Sequence, residues 1–199
     1  MAELNKWKTL ASKYIVNDRW LKLRADTVET PDGHTLDPFY VFEYPDWINC
    51  LVIDENNDAI MIRQYRHGAK EYVLEIIGGS AESHDADTEE SIRRELKEEL
   101  GYVGGSVILT GVSYANPANQ NNKVYSYLAI GGQCSEAQAL EPGENIHIEK
   151  VPFSKLLDVM AKSGSDETFQ SLNLANLFFA VNYIKNSNDS RLRELSKSI

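Results

Sequence analysis

Residues 94–102 read Arg94-Glu95-Leu96-Lys97-Glu98-Glu99-Leu100-Gly101-Tyr102. Three carboxylates fall within five positions of a helix-prone run. At 3.6 residues per turn, Glu95 and Glu99 lie one turn apart on a shared face, with Glu98 beside them. Like charges at that spacing repel, so their retention needs a compensating partner. A hard divalent cation, Mg²⁺ or Mn²⁺, takes carboxylate oxygens and supplies that compensation. Such a cluster suits a substrate with adjacent phosphates, whose oxygens the same cation would bridge.

The spacing predicts the elements that position these acids. Asp87 followed by Glu90 fits a capping arrangement at a helix start near Asp87 or Thr88. Ile92, Leu96 and Leu100 recur at i, i+4 and i+8 and form a buried stripe opposite much of the acid. Gly101 supplies the stop, because glycine accepts the left-handed conformation. Upstream, the apolar run Tyr72–Ile77 leads into Gly78-Gly79, read as a strand followed by a glycine turn.

The rest of the chain reads as a mixture of strands and helices. Strands are expected at Lys13–Val16, Trp20–Val28 and Thr35–Glu43, with a turn at Pro31-Asp32-Gly33. Ile48–Ile53 and Ala59–Tyr65 form a hairpin across a polar turn at 54–58. Val107–Tyr114, Lys123–Ile130 and Ile146–Val151 are further strands. Ser154–Lys162 and Ser171–Ile184 read as helices, and the polar end after Lys185 reads as fraying. The expectation is an α+β sandwich around a mixed sheet. Residues 1–45 form a small antiparallel sheet and 46–199 the main domain.

The segment around the acidic helix resembles the signature of the Nudix hydrolases: Gly, five residues, Glu, seven residues, then Arg-Glu-U-x-Glu-Glu-x-Gly-U, where U is bulky and apolar. The second half matches from Arg94 to Tyr102. In the first half the expected Gly and Glu positions hold Ser80 and Ala86. Taking Gly79 as the family glycine makes the loop one residue longer, with Asp85 or Asp87 standing in for the Glu. The resemblance implies an α/β/α Nudix sandwich, with Glu95 and Glu99 as first metal ligands and Glu98 and the Gly78 carbonyl as further ones. The competing role for Glu98 is an i, i+4 ion pair with Arg94, itself read as a structural clamp.

The run Arg63-Gln64-Tyr65-Arg66-His67-Gly68, followed by Leu74-Glu75-Ile76-Ile77-Gly78-Gly79, resembles the ADP-ribose pyrophosphatase branch of that family. This places substrate contact on Arg66 and substrate or metal contact on Glu75. Pro117 stands fifteen residues after Tyr102, where branch members carry a loop proline, although its neighbours Asn116 and Ala118 differ from the branch pattern. The acidic residue common further along that loop is absent, Asn121-Asn122-Lys123 occupying the region. The acidic loop Leu140–Ile146 resembles the branch's mobile loop, with Glu144 as general base and Glu141 as its rival. Trp20, and Phe39 or Tyr40, are adenine-stacking candidates, with a core or interface role as the alternative. The implied activity is metal-dependent hydrolysis of ADP-ribose to AMP and ribose 5-phosphate by a homodimer that exchanges its N-terminal sheet. Another nucleotide sugar such as GDP-mannose, or a non-catalytic nucleotide-sugar sensor, is the alternative.

Composition bounds these readings. The 199 residues carry a net charge of −10 and are 42% hydrophobic. That balance supports a core and argues against nucleic acid as a partner, since phosphate neutralisation needs clustered Lys and Arg. The N-terminus has no apolar signal region, and no stretch reaches the roughly 18 apolar residues of a membrane span. Cys50 and Cys134 lack metal-ligand spacing and read as reduced thiols of a cytoplasmic protein.

Overall fold

The computed structural model describes residues 5–162, 164 and 167–197. These form two compact units, one running up to Pro45 and including Tyr114–Lys123, the other Asp46–Ser113 with the chain from Val124 onward.

In the first unit, β1 (Lys8–Asn17), β2 (Lys22–Glu29) and β3 (Thr35–Glu43) make an antiparallel sheet in the order β1-β2-β3. The Thr30–His34 turn closes the second hairpin, with Gly33 at φ +83°. Arg24 grips Asp26 at 2.8 and 3.0 Å and also pairs with Glu43, which accepts from the Tyr14 hydroxyl at 2.9 Å. The 114–123 segment joins this unit because the Phe42 amide donates to the Asn119 carbonyl at 2.8 Å.

The second unit holds a seven-stranded mixed sheet. Its strands are β4 (Trp47–Ile53), β5 (Asp58–Arg66), β6 (Glu71–Glu75), β7 (Ile77–Ser80), β8 (Tyr102–Tyr114), β9 (Lys123–Cys134) and β10 (Ile146–Pro152). The order is β10-β5-β4-β9-β8, with β6 on β5 and β7 on β4. β4 and β9 run parallel; the other registered pairs are antiparallel. The helices are α1 (Thr88–Leu100), α2 (Phe153–Ala161), α3 (Ser171–Asn186) and α4 (Ser190–Ser196).

Period-two alternation along β4 creates two cores. Ile48, Cys50 and Val52 pack with Ile92, Leu96 and Leu100 of α1. Leu51 and Ile53 pack with residues of α2, α3 and α4 on the opposite face. The result is the α/β/α sandwich, and it also accounts for the nearly unbroken apolar sequence of β4.

Three expectations are corrected. Gly78-Gly79 is not a turn: it lies within β7, paired with Asn49 and Ile48 of β4. The glycines are required by contact rather than by φ, as the site geometry makes plain. Among the described residues after Lys185 the chain does not simply fray, and residues 198–199 lie outside them. Asp189 caps α4 by accepting from the Arg191 and Leu192 amides, and Leu192 and Leu195 enter the core at 1% and 3% exposure. β8 and β9 are also longer than their apolar runs, because the ladder continues through exposed glycines and polar residues.

The cap geometry of α1 follows the sequence closely. Asp87 accepts from the Glu89 and Glu90 amides, and Glu90 reaches back to the Ala86 amide at 2.6 Å. Gly101 sits at φ +62°, and a Cβ there would lie 2.6 Å from the Glu136 carbonyl carbon. Gly101→Ala is therefore expected to cost more than about 2 kcal/mol, read as a lower urea midpoint with an unchanged slope.

Candidate active site

The acidic face of α1 is only partly solvated. Glu99 is 4% exposed, Glu95 is mostly covered, and Glu98 is half-buried. The cause is β7, which runs alongside. A Cβ on Gly79 would lie 2.5 Å from Glu95 Cδ, so only glycine lets the strand approach this carboxylate. One residue earlier, a Cβ on Gly78 would meet the Ile48 carbonyl oxygen at 2.8 Å.

Arg94 organises the acids. Nη1 donates to Glu95 at 3.0 Å and Glu98 at 3.1 Å, while Nη2 donates to Asp85 at 3.3 Å and to the Ser80 carbonyl at 3.4 Å. Asp85 is thus the loop carboxylate tied to the helix, whereas Asp87 serves as the cap. Hydrogen bonding by Ser91 and then Arg94 holds the Asp85 carboxyl down at about 2.

Glu95 and Glu99 are pushed the other way. Burial, less the attraction of Arg94, lifts Glu95 to about 7. Burial first, then the charges of Glu95 and Glu144, lifts Glu99 to about 8. Glu144 sits in the 141–144 turn, where its carboxylate accepts from the Glu141 amide at 2.8 Å, and its charge acts on both helix acids. At the end of β5, Arg66 Nε donates to Glu75 Oε2 at 2.8 Å. Glu75 is 2% exposed and Arg66 is about half exposed, so the buried acid anchors the guanidinium through Nε. Burial raises the Glu75 carboxyl, opposed by Arg66.

The residues singled out in the sequence divide between the two units. Arg66, Glu75, Gly78, Glu95, Glu98, Glu99 and Glu144 all belong to the second. Trp20, Phe39 and Pro117 belong to the first. There Trp20 is 76% exposed with the Arg19 guanidinium 4.0 Å above its ring, Phe39 meets Trp7 edge-on, and Pro117 is exposed in the 116–119 turn.

A hard divalent cation fits the donor chemistry. Glu99 Oε2 is buried without a hydrogen-bond partner, and a buried, desolvated carboxylate is costly unless charge compensates it. As the side chains stand, no three His, Cys, Asp or Glu groups among the described residues close around one point, and Arg94 holds both Glu95 and Glu98. Glu95 and Glu99 fit as ligands; Glu98 is engaged in the Arg94 pair that its spacing allowed.

Sequence reasoning missed a polar cluster on the opposite side of β4. Asn49 donates to the Leu172 carbonyl at 3.1 Å, and Asn176 Nδ2 donates to Asn49 Oδ1 at 2.9 Å. Asn173 lies beside them. The available signal was amides interrupting two apolar runs, Asn49 in Ile48–Ile53 and both Asn173 and Asn176 in Leu172–Phe179.

A metal-compatible acidic helix packed on a glycine strand within an α/β/α sandwich defines a Nudix-type hydrolase site. Residues 44–172 match the NUDIX domain and residues 7–42 the nucleoside diphosphate sugar hydrolase N-terminal domain, so the chain belongs to the Nudix hydrolase family. It is 32% identical over 159 residues to the methanol dehydrogenase activator of Bacillus methanolicus, covering 79% of this chain and 84% of that relative. It is 24% identical over 154 residues to the ADP-ribose pyrophosphatase of Bacillus subtilis strain 168, covering 77% and 82%. Its fold superposes on the crystal structure of an ADP compounds hydrolase with a TM-score of 0.80 at 17% identity, over 94% of this chain and 99% of that one.

Proposed function

We propose that this Nudix hydrolase cleaves the diphosphate of ADP-ribose, giving AMP and ribose 5-phosphate, with Mg²⁺ or Mn²⁺ as cofactor. The observation that carries the reading is Glu99: a buried carboxylate with an unpartnered oxygen, one turn from Glu95 and beside the glycine strand. The relative that is an ADP-ribose pyrophosphatase supports this substrate.

Glu95 and Glu99, with the Gly78 carbonyl and Glu98 as further donors, hold the cation. When bound, it polarises phosphorus and acidifies a bound water. Arg66, oriented by Glu75, forks onto diphosphate oxygens. Glu144 takes the proton as water oxygen bonds to one phosphorus and the bridging P–O bond breaks. Trp20 and Phe39 stack against the base, and Pro117 shapes the substrate loop.

The test is an assay of ADP-ribose, GDP-mannose and other nucleoside diphosphate derivatives with Mg²⁺ and with Mn²⁺, followed by product analysis. ADP-ribose is expected to turn over fastest, to AMP and ribose 5-phosphate. Preference for GDP-mannose would move the substrate, and binding without products would make the protein a sensor. The activator relative favours a second reading, an accessory role toward a dehydrogenase. A rate increase on adding this protein to a methanol dehydrogenase assay would support it.

We also infer a homodimer formed through the N-terminal sheet. Trp7, Leu10, Tyr14 and Ile15 of the first unit are each about half exposed, an apolar surface that a monomer rarely leaves open. Sedimentation is expected to give a dimer for the native protein and a monomer for Leu10→Glu/Ile15→Glu; an unchanged dimer would place the interface elsewhere. With Cys50 and Cys134 both free, we assign the protein to a reducing cytoplasm.

A further inference from the structure

Arg63 stands three residues before Arg66 on β5 and belongs to none of the groups assigned to the reaction. Alternation along β5 puts it on the side of Ala59 and Met61, which pack with α2, α3 and α4. Its guanidinium uses all three nitrogens on two carboxylates. Nε donates to Glu149 at 2.5 Å and Nη2 to the same residue at 3.3 Å, while Nη1 and Nη2 donate to Glu167 at 3.2 and 2.7 Å. The side chains of Arg63, Glu149 and Glu167 are 27%, 39% and 28% exposed, so the cluster is only partly solvated. A planar fork holds two carboxylates at once in this way; the point charge of a lysine does not.

The two acids differ in what else holds them. Glu149 lies on β10, whose backbone is already laddered to β5, with Glu149 opposite Met61. Glu167 lies in the connection from α2 to α3, of which residues 162, 164 and 167–170 are described, outside the named helices and strands. There the Gly164 amide donates to the Glu167 carbonyl at 2.6 Å, and Phe169 enters the core. The chain then starts α3. Gln170 is its N-cap but makes no side-chain cap bond, so the helix start takes its place from what precedes it. Gln170, Leu172 and Asn173 wall a cleft of about 300 Å³ that Asn49, Arg66 and Gly78 also line.

We propose that Arg63 is a positioning residue for that cleft. Anchored through Glu149 on β10, it grips Glu167 and fixes where the start of α3 stands against β5. Three residues carry the chain from Glu167 to Gln170, a span of roughly 10 Å at full extension, so a displacement at the first is passed to the second. The charge balance sharpens the effect. One guanidinium serves two carboxylates, so without it two like charges face each other and push the connection away from the sheet. That the cleft receives substrate rests on the diphosphate-cleaving reading; the hold on Glu167 does not.

The test compares Arg63→Gln, Glu167→Gln, Glu149→Gln and the double variant Arg63→Gln/Glu167→Gln. Two readouts apply: kcat and KM for ADP-ribose with Mg²⁺, and amide hydrogen exchange of the protein alone in EDTA. For Glu167→Gln, KM is expected to rise about fivefold with kcat little changed, the scale of one ion pair at this exposure. Exchange at residues 167–173 is expected to quicken by about the same factor while α1 is unchanged. Arg63→Gln is expected to do more, because it leaves the two acids opposed, and Glu149→Gln less, because β10 keeps its ladder. Adding Glu167→Gln to Arg63→Gln is expected to bring KM back down to that of Glu167→Gln alone, a rescue that a merely structural pair does not give. Unchanged exchange at 167–173 would overturn the proposal. So would faster exchange throughout the second unit with a lower melting temperature, which would make the cluster a general stabiliser, or a fall in kcat at constant KM. If wild type turns over no diphosphate, the hydrolase reading fails, and the exchange measurement still decides whether Arg63 holds the start of α3.

Discussion

Glu99→Gln is expected to lower turnover by on the order of a thousandfold while making the metal-free protein more stable above pH 7. The loss follows from removing one anionic ligand. Metal polarisation contributes several kcal/mol to such reactions, and each 1.36 kcal/mol is a factor of ten. The gain follows from linkage. In the fold, burial and the charges of Glu95 and Glu144 hold the Glu99 carboxyl at about 8, whereas its ordinary value is 4.5. Between those pH values the folded state retains a proton that the unfolded chain has released. Stability therefore falls as pH rises through this window, and below it the group contributes nothing. The penalty is on the order of a few kcal/mol at pH 8, and glutamine removes it. Thermal melts in EDTA from pH 5 to 9 check this: the wild-type curve is expected to slope downward more steeply than that of Glu99→Gln. Parallel curves would mean that Glu99 is already compensated in the free protein.

The neighbouring glycines are expected to fail in opposite ways. In Gly79→Ala the new methyl meets the far end of a flexible side chain, the Glu95 carboxylate. The carboxylate swings aside, the fold survives, and turnover drops by about a hundredfold, because a ligand displaced by an ångström loses its alignment. In Gly78→Ala the methyl meets the Ile48 carbonyl oxygen at 2.8 Å, within the β4–β7 pairing. Backbone cannot swing aside, so stability falls and the β7 ladder loosens. Urea titration and kcat for the two purified variants separate these outcomes. A Gly79→Ala enzyme of normal kcat would show that Glu95 is not a ligand.

The helix that carries the acids was legible because its determinants are local. Asp87, Glu90 and Gly101 act within a turn of their own positions, and Ile92, Leu96 and Leu100 encode the buried stripe by spacing alone. The strands of the core were legible because their apolar runs are continuous. Gly78-Gly79 was misread because glycine has two uses. It breaks chains by its conformational freedom and admits neighbours by its size, and only the neighbour, Glu95, says which applies. α4 was missed because a seven-residue amphipathic segment with two leucines has little periodicity to read. The amide cluster was missed because Asn173 and Asn49 are 124 positions apart in the chain.

By itself, then, the sequence determined the kind of chemistry: carboxylates spaced at one helical turn, an arginine among them, and a capped helix to carry them. Tertiary structure decided which carboxylates are desolvated, which are tied to Arg94, and which face of the sheet bears the amide-walled cleft. The reason is physical. Spacing fixes the relative direction of side chains within one element, but burial and pairing depend on atoms that distant parts of the chain bring close, and those set the charge each acid can hold.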